Sequence, residues 1–327
     1  MDAVGFALAS AVGRDARDNW RIIGTANNLP DELPFDGEGV ADDDYVVLVG
    51  GDGEELGAVR VLDRATGVWT VGTAYSAAAD LFGGHMFAGL GDGLFYYAGG
   101  RTSAWVATTR AYDPVLDTWT AKANMPLATT DGGYCSHGGF GYVFGGRTAA
   151  STYRADTRRY DPVANSWTTL ASRPVSGYIN AAAPILEDGN TVVLIGLRTS
   201  VISDRVDTYD IALNTWTANA FPDVPALFSW TERSQGWRSP EGITLARPGL
   251  ARAVALDPDA GTWGPVVELT GLQNLKSTFV PLGDGTALQA GLNQGASGSS
   301  AVYIAKPPGV PLADANTGAV RAWLAAT

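Results

Sequence analysis

Residues 94–120 read LFYYAGGRTSAWVATTRAYDPVLDTWT. Leu94–Ala98 is a short apolar, aromatic-rich run that stops at Gly99-Gly100, which reads as a buried strand ended by two residues free to turn sharply. Residues 111–120 read as strand, turn, strand. Asp113 and Pro114 open the turn, Asp117 closes it, and Trp119 heads the strand that follows.

The same two-part pattern recurs along the chain. Apolar runs ending in Gly-Gly or a variant are YVVLVGG (45–51), LFYYAGG (94–100), GYVFGG (141–146), TVVLIGL (191–197), GITLAR (242–247) and TALQAGL (286–292). Their anchors fall at 50, 99, 145, 196, 246 and 291, at intervals of 49, 46, 51, 50 and 45. Turn segments follow five of them: VLDRATGVWT (61–70), AYDPVLDTWT (111–120), RYDPVANSWT (159–168), TYDIALNTWT (208–217) and ALDPDAGTWG (255–264). A period of this size suits a four-stranded propeller blade. Repeated Asp63, Asp113, Asp161, Asp210 and Asp257 are turn residues. Trp69, Trp119, Trp167, Trp216 and Trp263, each beside a turn, are packing residues between blades.

Tandem Gly-Gly, then Tyr-Asp-Pro, then Trp resembles the kelch signature, and the resemblance covers roughly residues 20–306. It implies an all-β, six-bladed β-propeller of four-stranded blades, in one domain over 1–327. Ring closure follows from spacing. No Trp lies near residue 311, where the sixth unit would place one, whereas Trp20 precedes Gly50 by 30 residues, as Trp69 precedes Gly99. The segment around Trp20 is therefore expected to supply the outer strand of the last blade and leave no open seam. Residues 307–327 are expected to pack outside.

Net charge is −12 and only three lysines occur (Lys122, Lys276, Lys306), which argues against nucleic acid as a partner. A lone cysteine, Cys135, excludes an internal disulfide. The first residues lack a basic n-region, and no apolar run is long enough to span a bilayer. A cytoplasmic monomer without membrane contact is the expectation.

In a kelch blade the start of the inner strand and the loop after Gly-Gly share one mouth of the channel. Fourteen residues before the anchors stand Asp36, His85, Asp131, Ala182, Glu232 and Ser277. Two residues after them stand Asp52, Arg101, Arg147, Arg198, Pro248 and Asn293. Acids, a histidine and three arginines thus line a polar funnel, with Trp105, Tyr178, Trp230 and Trp237 as aromatic walls. An ungapped offset is fragile, since a slip of one residue turns a channel-facing side chain into the blade.

Several chemistries are compatible with this funnel. His85 with Asp36, Asp131 and Glu232 offers metal-free acid–base catalysis of an isomerase, lyase or cyclase type. Carboxylates beside His85 would raise its pKa, while Arg101, Arg147 and Arg198 hold an anionic or aromatic substrate. Bacterial sialic-acid mutarotases are kelch propellers of similar size, an analogy of fold alone. No cofactor is expected. A divalent metal on the same acids and His85 lacks any local ligand motif. The copper-radical oxidases among kelch propellers need two His, two Tyr and a cross-linked Cys. Here His85 and His137 are the only histidines and sit at different depths. Gly-x-Ser-x-Gly and phosphate-loop motifs are absent. Two binding alternatives stand beside the enzyme: a scaffold gripping an acidic peptide through the three arginines, a mode known among kelch propellers, and a carbohydrate-binding module using the tryptophan faces.

Overall fold

The structure, a computed structural model, describes residues 21–26, 37–50, 57–75, 83–150, 152–177, 181–182, 188–198, 202–225, 235–239, 242–247, 252–268, 278–283, 287–290 and 302–306. It is an all-β β-propeller. Among the described residues there is no helix, so none long and apolar enough to cross a membrane.

The first sheet comprises Glu38–Ala41, Tyr45–Val49, Val59–Asp63 and Val68–Gly72 in that order, inner to outer. The second (His85–Phe87, Phe95–Ala98, Thr109–Asp113, Thr118–Lys122) and third (Gly133–His137, Phe140–Phe144, Thr157–Asp161, Ser166–Leu170) repeat it. The fifth has Gln235–Ser239, Gly242–Arg247, Arg252–Asp257 and Thr262–Trp263, with Val267–Glu268 also on the third strand. In the sixth, Arg21–Ala26 pairs antiparallel with Val302–Lys306, outside Ala287–Ala290 and Thr278–Pro281. The two ends of the described chain therefore meet in one sheet. Trp20 and residues 307–327 lie outside the described residues.

The expectation of six blades is corrected: among the described residues five sheets reach four strands, which makes five blades. The unit anchored at Gly196 is a three-stranded sheet of Thr191–Arg198, Ile202–Asp210 and Thr215–Phe221. The strand expected on its inner side, Ala181–Ala182, instead pairs parallel with Gly133–Tyr134 of the third sheet.

Alternation along single strands builds the core between sheets. Val143 packs with residues of the first and second sheets, whereas Tyr142 and Phe144 pack with the fourth and fifth. Across each hairpin the residue before the turn aspartate lies opposite the tryptophan: Leu62 and Trp69, Tyr112 and Trp119, Tyr160 and Trp167, Tyr209 and Trp216, Leu256 and Trp263. The tryptophans also reach the preceding sheet. Trp119 meets Tyr75 with ring centroids 5.0 Å apart, Trp167 meets Phe87 at 6.2 Å and Trp216 meets Phe144 at 5.8 Å.

A hydrogen-bonded clamp accompanies this packing. Ala123, just past the outer strand of the second sheet, donates its N–H to Asn165 Oδ1 (2.8 Å), and its carbonyl accepts from Trp167 Nε1 (2.9 Å). Ala171 is held in the same way by Asn214 and Trp216, and Thr73 by Asp117 and Trp119. The gripping Asp or Asn closes its turn with positive φ: 53° at Asp117, 46° at Asn165 and 52° at Asn214. These residue types tolerate that conformation best after glycine. Its side-chain oxygen is steadied by a phenol, since Tyr112, Tyr160 and Tyr209 donate to Asp117, Asn165 and Asn214 at 2.6–2.8 Å.

The fifth sheet shows why these residue types travel together. Pro222 replaces the clamped residue and has no N–H to give, so only Trp263 Nε1 bonds its carbonyl, at 2.8 Å. Gly261 then stands where the Asn would be and Leu256 where the Tyr would be. Asn165→Gly keeps the left-handed turn but removes both bonds. It is expected to cost about 1–2 kcal/mol in urea unfolding. The cost should be less than additive with that of Tyr160→Phe. Gly261→Asn, with no N–H to meet, should change stability by less than about 0.5 kcal/mol.

Candidate functional site

Gly145 (φ 63°) and Gly146 (φ 96°) turn the chain out of the third sheet. A Cβ on either would come within 2.8 Å of Gly177 O or 2.7 Å of Thr130 O, so the Gly-Gly pair answers both backbone conformation and close approach. The loop then forms a hairpin of Arg147–Ala149 with Thr152–Tyr153. It is tied across to the entrance of the inner strand by Thr130 N–H to Arg147 O (3.0 Å) and Arg147 N–H to Thr130 O (2.9 Å). In the second sheet the equivalent loop closes through an Arg101–Trp105 bridge, with the Arg101 guanidinium 4.8 Å from the indole centroid.

Asp131 joins the two loops electrostatically. Its Oδ2 accepts from Arg147 Nε at 2.5 Å, and Arg101 is a second cation acting on it. Burial raises its carboxyl above the usual range, against the pull of Arg147, the Thr130 hydroxyl and Arg101. Asp131 has φ 59°, an uncommon conformation for a residue with a side chain. The Arg147 side chain keeps 21% of its surface exposed, against 7% for Asp131. Beneath the loops, buried Arg158 bonds Thr129 Oγ1 and Gly145 O, both at 2.5 Å, and pairs with Asp156 at 2.8 Å.

His85 departs from expectation. It is fully buried, its Nε2 accepts from Gly132 N–H at 3.1 Å, and its Nδ1 lies 2.8 Å from Ala98 O. An accepting Nε2 requires the proton on Nδ1, which therefore donates to Ala98. Far from being raised by neighbouring acids, its pKa is lowered to about 3, first by burial and then by Arg158. With both ring nitrogens bonded to backbone, the imidazole is a neutral structural link. Trp237 is also corrected as an aromatic wall. At 1% exposure within Gln235–Ser239 it is a packing residue. Arg198 ends its strand opposite Ile202, in the corresponding hairpin of the fourth sheet. Asp36, Glu232, Tyr178 and Trp230 lie outside the described residues.

One acid escaped the sequence reading. Glu38, 2% exposed on the first inner strand, accepts from Tyr134 OH at 3.1 Å. Burial, reinforced by Glu38, pushes the Tyr97 and Tyr134 phenols well up. Glu38 lies 12 residues before its anchor, two nearer than the sampled level, and its setting in EGVA is the signal that could have exposed it. Among the described residues no three His, Cys, Asp or Glu side chains gather as a metal site would need. His137 is at the far end of its strand from Asp131, opposite Phe140.

The buried His85 makes stability pH-dependent. Its pKa is lower folded than unfolded, so the unfolded chain binds the extra proton first. The contribution is whole above about pH 6.5 and falls by about 1.4 kcal/mol per pH unit as pH drops toward 3. Urea unfolding from pH 7.5 to 4.5 should show this loss, and His85→Gln should flatten it.

A Kelch motif family model matches residues 142–174, the span that holds the Tyr160-Asp161-Pro162 turn of the third sheet and its tryptophan. No curated protein sequence shows significant similarity to the chain. Among solved structures the chain is similar to YjhT, with a TM-score of 0.67 at 16% identity, over 86% of this chain and 97% of that one. Repeated sheets, clamped turns and this shared architecture agree on a β-propeller fold, and the chain carries a kelch motif at residues 142–174.

Proposed function

We propose that this propeller binds a carboxylate-bearing ligand at the mouth formed by the loops after Gly99-Gly100 and Gly145-Gly146. The observation that carries the reading is the Arg147–Asp131 pair. A nearly buried carboxylate grips Arg147 by its Nε and sets the plane of a guanidinium that is still partly open to solvent. Such a held fork suits a second carboxylate. Arg101 adds charge from the neighbouring loop, and Trp105 beside it adds an apolar wall. On a chain of net charge −12, a local group of cations is where an anion is drawn.

Acid–base turnover of the bound ligand is a second reading, favoured by Asp131. A carboxyl held above its usual range on a strained backbone beside two guanidiniums has the character of a general acid. His85, bonded at both nitrogens, supports the site from below.

Calorimetric titration with succinate, benzoate and a hexaglutamate peptide tests recognition and separates small acids from peptides. Arg101→Gln, and Arg147→Gln combined with Asp131→Asn so that no buried charge is stranded, should each weaken binding about tenfold to a hundredfold. Unchanged affinity in both variants would sink the reading. For turnover, NMR of the bound acid in D2O should show C–H exchange or isomerisation that Asp131→Asn abolishes.

A further inference from the structure

His85 is buried and neutral, and acid–base chemistry does not use it, yet its two nitrogens touch the supports of both arginine loops. Nδ1–H donates to Ala98 O, on the residue before Gly99-Gly100 and three before Arg101. Nε2 accepts from Gly132 N–H, next to the aspartate that holds Arg147. The surrounding joint is tight. Asp131 N–H and the Thr130 hydroxyl both donate to Gly83 O at 2.8 Å, two residues before His85. A Cβ at Gly132 would fall 2.7 Å from His85 Nε2 and 3.0 Å from Phe144 O, so the imidazole fills the space that fixes this turn.

We infer that His85 is a positioning residue that couples the two arginine loops. As a neutral imidazole with its proton on Nδ1, it spans the Ala98 carbonyl and the Gly132 amide, holding Asp131 in its left-handed conformation so that the carboxylate meets Arg147 Nε. A ring with the opposite tautomer would set Nε2–H against Gly132 N–H and leave Ala98 O without its donor. Two donors facing each other repel, and the strand entrance carrying Asp131 would have to move. The anion reading above gives this joint its purpose, but the joint itself exists without ligand.

The test uses the ligand-free, uniformly 15N-labelled full chain and so stands apart from whether carboxylates bind. In the wild type, the His85 ring should show a protonated Nδ1 and an unprotonated Nε2 coupled through the hydrogen bond to Gly132 N–H. The Arg147 Nε–H should exchange with water at least tenfold more slowly than free arginine. His85→Gln, whose amide retains one donor and one acceptor, should preserve most of that protection. His85→Leu should lose it at least tenfold while the chain still unfolds cooperatively in urea. An Nε2–H tautomer in the wild type overturns the inference even if His85→Leu does not fold. So does Arg147 protection that is unchanged in a folded His85→Leu, or lost equally in His85→Gln. Weak or absent carboxylate binding with all these signals intact would remove the ligand reading and leave the joint standing.

Discussion

The ring depends on how one sheet is fastened to the next. A propeller sheet buries its faces only against its neighbours, so the angle between sheets must be set by contacts that cross the gap. Here a tryptophan and an Asp or Asn from each of three successive turns seize the carbonyl and the N–H of a single residue at the outer end of the preceding sheet. Each bond is modest, about 1 kcal/mol. Both backbone groups of that residue are nonetheless satisfied at once, and the indole also packs across the gap. Direction comes from the hydrogen bonds and most of the energy from the buried aromatic surface.

Substitutions within the chain's own repeats argue for this account. Tyr accompanies Asp or Asn in the second, third and fourth units, and Leu accompanies Gly in the first and fifth. The phenol has a partner only where a side-chain oxygen closes the turn. At the fifth unit Pro222 removes the donor that such an oxygen would accept, and the oxygen is gone as well. Hydrogen-bond satisfaction thus links positions 222, 256 and 261, which no local propensity would connect.

With the outer ends clamped, the mouth is free to differ from unit to unit. Its charges are arranged against a desolvation cost. Asp131 is buried enough for its carboxyl to be raised despite two arginines, whereas Asp207 is held below the usual range by Arg205, Arg173 and the Asn219 N–H. The comparison separates a structural ion cluster from a carboxylate left short of full compensation. The second kind is what a ligand site tends to contain.

The sequence by itself determined the repeat, the all-β propeller, the turn role of the recurrent aspartates and the packing role of the tryptophans. Those properties follow from spacing and turn chemistry, which act within a few residues. It also put Asp131, Arg101 and Arg147 together, because Gly-Gly pairs mark the same end of the second and third units. Tertiary structure decided the rest. Whether His85 met water or the Gly132 amide depended on a neighbouring sheet 47 residues away in the chain. Glu38 was hidden by Tyr134, 96 residues away, and Ala181–Ala182 chose the third sheet over its own. A one-residue change in register or a small rotation between sheets turns a side chain from channel to interior, and no offset counted along the chain contains that rotation.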